Sequence, residues 1–574
     1  MRFTHSASRT TPPLPVRRPA LLTFGALLLA SAALFPVGSS SAQGVSESTN
    51  ASALPGLGGA EGISVSAERR LGDRIARSIY QDPDYLDDPL LVDYLQALWQ
   101  PLLGSARARG DVPPELAERM AWELMISRER TVNAFALPGG YLGVNLGLLA
   151  VTERPEEVAS VLAHELSHVS QRHIARLMSR EERMAPWMMG AMILGALAAG
   201  SNPQVASAAI AGSTAVAAQT QLNFSRDMER EADRVGFGVL SGAGFDAQGF
   251  VSMFDKLQQA SRLNDDGAFP YLRSHPLSGE RIADMRARIP QGPVAAVSQP
   301  TVSTPAPPTT GSPAAGINLD LPGVRSGGPG APAAAAAVVA RPGPSVAVHT
   351  LMSSRARVLA ENGPDRMRSW LQVGQGPNAK PGERYAAALS ALRLGQRDRA
   401  LELAQKLRDS VAPDARFVAD ALMLELLLSP ATVPATPAQT ALLVDLRDRA
   451  LSGSTRASVM LGAQAAIASG EPQRAVSRLQ SWVVLQPRDA LAWQTLARAY
   501  QVQGQSLRSV RAEAEARVAH LDYAGAVDRF RAAQSLPVAQ RSADSMELAI
   551  VDSRKRDVET LLRESLREEE DSKR

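Results

Sequence analysis

The chain of 574 residues has no cysteine. No disulfide framework exists and a lipid-modified cysteine is excluded; an oxidising compartment permits disulfides without requiring them. A surplus of charge is also missing. Sixty-one Lys and Arg face 58 Asp and Glu, and four of the basic residues (Arg2, Arg9, Arg17 and Arg18) precede residue 43, leaving 57 against 58 in the remainder. Nothing in that balance favours a nucleic-acid partner. Apolar runs long enough to cross a bilayer are wanting too, since about 20 residues are needed, and the runs at 20–35 and 184–199 are shorter.

The first of these runs follows an arginine-bearing head and ends at Ser40-Ser41-Ala42. That pattern predicts a cleaved signal peptide over 1–42, with an uncleaved anchor as the other reading. Residues 43–60, rich in Gly, Ser and Ala, read as a flexible lead. The expected compartment is the periplasm.

What the chain does carry is Val161-Leu162-Ala163-His164-Glu165-Leu166-Ser167-His168-Val169. This His-Glu-x-x-His run in an apolar setting predicts a helix, on which residues four apart share a face. His164 and His168 can aim two imidazoles at one metal ion while Glu165 holds the attacking water. The helix is expected over 156–180, opening after Pro155. On it His173 falls about half a turn from His164 and reads as a surface histidine. Two histidines leave a catalytic zinc one protein ligand short. Downstream, 223–233 has helical periodicity, with Glu229 and Asp233 one turn apart. Glu229 can be the third ligand, and Asp233 can accept the other ring N–H of a ligand histidine. Glu231 points elsewhere and reads as a solvated charge.

Ahead of the motif, helices are expected at 65–79 and 90–99, the second stopped by Pro101, and a turn at 111–114. Strands are expected at 121–127 and within 132–149, where Pro138-Gly139-Gly140 turns between Asn133-Ala134-Phe135-Ala136 and Tyr141-Leu142-Gly143-Val144. The stretch Asn133-Ala134-Phe135-Ala136 is either one arm of a plain hairpin or an edge that holds an extended peptide. After the motif, 184–199 and 205–218 predict an apolar helical pair. It is expected to be buried or exposed as a greasy surface suited to unfolded polypeptide or to peripheral membrane contact through 184–199, with a short membrane span as the other reading.

These pieces, joined by Ser274-His275-Pro276 and Arg281-Ile282, resemble the M48 family of metallopeptidases over about 61–290. The likeness is to its periplasmic branch in outer-membrane assembly. The resemblance implies an α+β gluzincin-type domain, mostly helical, with one Zn2+ per chain on His164, His168 and Glu229. It implies Glu165 as catalytic base and Asp233 behind the ligands. It brings His275 to the site, as a fourth ligand that closes it at rest or as a stabiliser of the transition state. Arg281 is implied as structural or oxyanion-facing. In that branch the apolar run is not a membrane span.

Between 291 and 350 stand eleven prolines and three charged residues, a composition that reads as a linker. Helical periodicity then resumes. Gly470 and Gly504 are 34 residues apart, and alanines recur at the positions of tight helix crossings. This predicts an all-α tetratricopeptide-repeat domain of three or four imperfect repeats over 351–560, presenting a surface to a protein partner. A charged tail over 561–574 is expected to fray. The combined expectation is a zinc endopeptidase that cleaves unfolded or stalled outer-membrane proteins. Its repeats would meet the outer-membrane assembly machinery. The alternative is a latent chaperone or adaptor with the zinc site held closed.

Overall fold

The computed structural model describes residues 63–180, 226–263, 269–289, 343–430, 434–542 and 544–571. The expected signal peptide, flexible lead, apolar helical pair at 184–218 and most of the expected linker lie outside them.

Helix α1 (Val65–Tyr80) starts at Ser64, whose hydroxyl accepts from the Ala67 N–H, and buries Leu71, Ile75 and Ala76. Helix α2 (Pro89–Arg109) runs through Pro101 instead of stopping there, and ends at Gly110 with φ 81°. An interior proline costs about 3 kcal/mol. Leu98, Trp99, Leu102 and Leu103 around it are almost wholly buried, and each such side chain contributes roughly 1.5–3 kcal/mol. Packing therefore wins over the lost hydrogen bond.

After α3 (Pro114–Arg119) comes a three-stranded sheet of β1 (Glu123–Ser127), β2 (Ala134–Leu137) and β3 (Tyr141–Asn145). The order is β1-β3-β2, with β1 parallel and β2 antiparallel to β3, so β2 is an edge. Pro138–Gly140 makes the turn, with Gly139 at φ 77°, a conformation glycine adopts without strain. The strand expected to reach 149 ends at Asn145, and Leu146–Val151 is helix α4.

The expected long helix is two. Helix α5 (Pro155–Ser170) carries the motif and is buried at every residue, and α6 (His173–Arg180) follows a break. Arg172 sits at the break with φ 52°, a left-handed conformation costing roughly 1–2 kcal/mol. Its side chain compensates: Nε donates to Glu68 Oε2 at 3.0 Å and Nη2 donates to the Ile63 carbonyl at 2.5 Å. The buried Glu68 also accepts the Gly139 N–H, tying the break to the turn beside the edge strand. Helices α7 (Arg226–Gly242), α8 (Gln248–Leu263), α9 (Tyr271–Ser274) and α10 (Gly279–Arg288) complete this half.

The C-terminal half is helical throughout its described residues. It opens with α11 (Val346–Leu359), capped by Ser345, so the last residues assigned to the linker are already helix. Gly395, Gly470 and Gly504 all take positive φ in turns between helices. The tail expected to fray instead belongs to the helix Ser545–Asp571, which returns to α1: Arg77 meets Glu569 and Ser565, and Arg70 meets Glu568.

The two halves share a hydrophobic core reaching from Val65 through Leu162 and Leu351 to Ala465. A buried ion cluster pins the junction. Arg355 on α11 grips Asp88, the N-cap of α2, with Nε at 2.9 Å and Nη2 at 2.6 Å, and donates to Glu425 and the Tyr385 hydroxyl. Removing one partner of a buried, fully bonded ion cluster costs about 3–5 kcal/mol. Arg355→Ala is expected to lower stability by that amount in urea unfolding, with both halves losing structure in one transition.

Candidate metal centre

The site lies where α5, α7, the residue after α9 and the outer edge of β2 meet. On α5, His164 and His168 sit one turn apart with their Nε2 atoms 3.0 Å from each other. Helix α7 comes close because Gly236 lies against the backbone of Ala163 and His164; a Cβ there would be 3.1 Å from the Ala163 carbonyl oxygen. This approach brings Glu229 and Asp233, both buried, onto the histidines. Glu229 carboxylate oxygens lie 3.5 Å from His164 Nε2 and from His168 Nε2. His275, the residue that ends α9, sets its Nδ1 3.0 Å from Glu229 Oε1 and 3.4 Å from His164 Nε2.

These four side chains each offer one donor atom, and the four atoms lie within 4.8 Å of one another. Donors about 2.0–2.1 Å from a tetrahedrally held zinc stand roughly 3.4 Å apart. The separations of 3.0–3.5 Å match that figure. Three imidazoles and one carboxylate are also the donor types zinc prefers. The residues fit the metal.

Electrostatics point the same way. Burial lowers the His164 imidazolium, but hydrogen bonds to Asp233 and Glu229 outweigh it and hold its pKa up at about 9. The carboxylates that retain this proton favour any cation in its place. Burial, joined by the charge on His164, keeps His168 well below the usual histidine range and so neutral. Burial alone would raise Glu229, yet His275 and His164 draw it well below the ordinary carboxylate range. Glu229 is therefore an ionised carboxylate and His168 a neutral imidazole, the forms that bind metal, while His164 gives up its proton where a metal takes its place.

Glu165 stands beside the donors and is fully buried. Its Oε2 accepts the Ala136 N–H at 3.0 Å, and Oε1 is 3.5 Å from His275 Nε2. Burial raises this carboxyl. Because Ala136 donates outward to Glu165, the free edge of β2 faces the metal site. Of the stretch Asn133-Ala134-Phe135-Ala136, the last three residues are in that strand and Asn133 directly precedes it.

Asp233 Oδ1 lies 3.0 Å from His164 Nδ1. Arg281 holds Asp233 with Nε at 2.6 Å and Nη2 at 2.8 Å, while Nη1 reaches Glu229 at 2.9 Å and donates to the Pro276 carbonyl at 2.8 Å. Its guanidinium thus ties α10 to α7 and to the backbone next to His275.

Two readings from the sequence need correction. His173 is not at the surface. The break at Arg172 turns it back, fully buried, with Nδ1 2.9 Å from His168 Nδ1. Glu231 is not merely solvated: it accepts from His173 Nε2 at 3.1 Å and from Arg176 at 2.9 Å. Tyr271 was not singled out; its ring packs on His275 with centroids 4.7 Å apart. A continuous helix through residue 180 hides the first pair, and no spacing rule marks Tyr271.

The model of peptidase family M48 matches residues 101–289, which include all four donors. The chain carries an M48 peptidase domain. It is 33% identical over 240 residues to the beta-barrel assembly-enhancing protease of Yersinia pestis, covering 42% of this chain and 47% of the relative. To the Escherichia coli K12 protein of the same name it is 32% identical over 244 residues, covering 42% and 48%. The mitochondrial metalloendopeptidase OMA1 of Arabidopsis thaliana is 32% identical over 171 residues, covering 30% and 32%. The match thus spans about half the length of the bacterial relatives. His164, His168, Glu229 and His275 lie within the matched residues and form a cluster compatible with zinc binding.

Removing a carboxylate that backs a ligand histidine typically weakens metal binding 10–100-fold. Asp233→Ala is expected to lose zinc to a chelator at a correspondingly lower chelator concentration, measured by metal content after dialysis.

Proposed function

We propose that this protein is a zinc-dependent endopeptidase of periplasmic quality control, cleaving unfolded or stalled outer-membrane proteins. The observation that carries the reading is Glu165 held by the edge strand beside the four donors. An extended polypeptide can add as a further strand to the outer edge of β2, using backbone pairing that tolerates many sequences. This lays a peptide carbonyl next to Glu165. When bound, zinc would polarise that carbonyl and acidify the attacking water. Glu165 takes a proton from the water as its oxygen bonds to the carbonyl carbon. It then delivers a proton to the amine as the C–N bond breaks. Arg281, engaged with Asp233 and Glu229, acts as a positioning residue that keeps both carboxylates aligned.

His275 decides how often this happens. A catalytic zinc keeps one position open, whereas four protein donors fill a tetrahedron. With Nδ1 among the donors, His275 holds the site closed until the residues that carry it shift. This favours a second reading in which the protein serves mainly as a latent chaperone or adaptor.

The C-terminal helices supply the partner surface as degenerate tetratricopeptide repeats, supported by the 34-residue spacing of Gly470 and Gly504 with φ 78° and 72°. The names of the bacterial relatives suggest the outer-membrane assembly machinery as that partner. Among the described residues no helix is long and apolar enough to cross a membrane.

The test compares variants on an unfolded polypeptide. Glu165→Gln is expected to retain zinc and lose cleavage by at least 100-fold, the scale of a general base. His275→Ala is expected to cleave faster than wild type. Loss of cleavage in that variant with zinc retained would make His275 a transition-state stabiliser. A wild type that binds zinc and substrate yet never cleaves would favour the adaptor.

A further inference from the structure

We infer that His173 is a positioning residue for the metal centre. Its ring fixes the tautomer and orientation of His168, and Glu231 with Arg176 fixes His173 in turn. The inference deepens the zinc-peptidase reading and rests on it.

The assignment follows from the atoms. His168 Nε2 lies among the donors, 3.0 Å from His164 Nε2 and 3.5 Å from Glu229 Oε1. A neutral His168 that presents Nε2 as a lone pair carries its proton on Nδ1. That Nδ1 is 2.9 Å from His173 Nδ1. A nitrogen–nitrogen hydrogen bond holds one proton, so His168 donates and His173 Nδ1 accepts. The proton of His173 is then on Nε2, which faces Glu231 Oε2 at 3.1 Å. The same oxygen accepts from Arg176 Nη1 at 2.9 Å, so the last acceptor is itself anchored. Glu231 can only accept, and this sets the direction of both hydrogen bonds in the line.

His173 cannot be a further ligand, because the nitrogen nearest the site is the one bonded to the rear of His168. The two histidines of α5 are thus backed differently. His164 leans directly on a carboxylate, Asp233, whereas His168 reaches its carboxylate through an intervening imidazole. The left-handed Arg172 makes this possible, since a continued helix would carry His173 away from the rear of His168.

The test uses the full chain and zinc alone, with affinity read by competition against a chromophoric chelator. His173→Ala is expected to bind zinc about 10–100-fold more weakly, the usual cost of deleting a group behind a ligand. His173→Asn places an acceptor oxygen where Nδ1 stood and is expected to recover most of that loss. Glu231→Ala is expected to weaken binding by a smaller factor. In 15N-histidine-labelled wild type, His173 is expected as the Nε2–H tautomer. Unchanged zinc affinity in a folded His173→Ala overturns the inference, as does an asparagine variant no better than alanine or an Nδ1–H tautomer for His173. Where His173→Ala fails to fold, Glu231→Ala and the wild-type tautomer still decide. A wild type that binds no zinc would overturn the peptidase reading itself.

Discussion

The structure depends on keeping charged and polar groups buried away from bulk solvent. Glu229, Asp233, His164, His168, His275 and Arg281 are all buried within one small volume. Each would cost several kcal/mol there if left without partners. The cost is offset by ion pairs and hydrogen bonds that link these groups to one another. Asp233 bridges His164 and Arg281, Glu229 bridges the histidines and Arg281, and Arg281 spends its remaining N–H on the Pro276 carbonyl. Such a network is rigid because moving one member strands its neighbours. Rigidity of this kind holds donor atoms at metal-binding separations.

The fold is arranged to supply that rigidity from behind and access from one side. Helix α5 has no exposed face, so the ligands project from the stiffest element available. The sheet, by contrast, offers its outermost strand to the site, leaving a backbone edge beside the donors. Glu68 connects the two. It receives Arg172 from the end of α5 and the Gly139 N–H from the turn after β2, so one buried carboxylate sets both walls of the cleft.

Much of the site was legible in the sequence, because its chemistry is local. His164, Glu165 and His168 occupy one helical turn, and Glu229 with Asp233 another, so periodicity alone places each set on a face. The strands and the turn at Pro138-Gly139-Gly140 were legible for the same reason. What escaped depended on contacts far along the chain. The break at Arg172 is held by Glu68, 104 residues earlier, and without it His173 reads as a surface residue. Helix α2 passes through Pro101 because of what Leu98, Trp99 and Leu102 pack against, which no local rule reports. The acidic end of the chain reads as frayed until Arg77, 492 residues away, is seen to hold Glu569.

Those distant contacts bear on function, because they bind the C-terminal helices to the N-terminal half as one body. Arg355 clamps the first turn of α2, and Arg456 holds Asp87 immediately before it. The C-terminal helix holds α1, which lies against the Pro138–Gly140 turn through Gly139. A partner that shifts the C-terminal helices must therefore strain α1 or α2, and α1 touches the turn that leads from the edge strand. Linkage runs in both directions. Under the proposed function, a polypeptide paired to the edge strand and a partner docked on the far helices would be coupled through these contacts. A flexible tether between two independent domains would carry no such coupling; a shared core and buried ion cluster do.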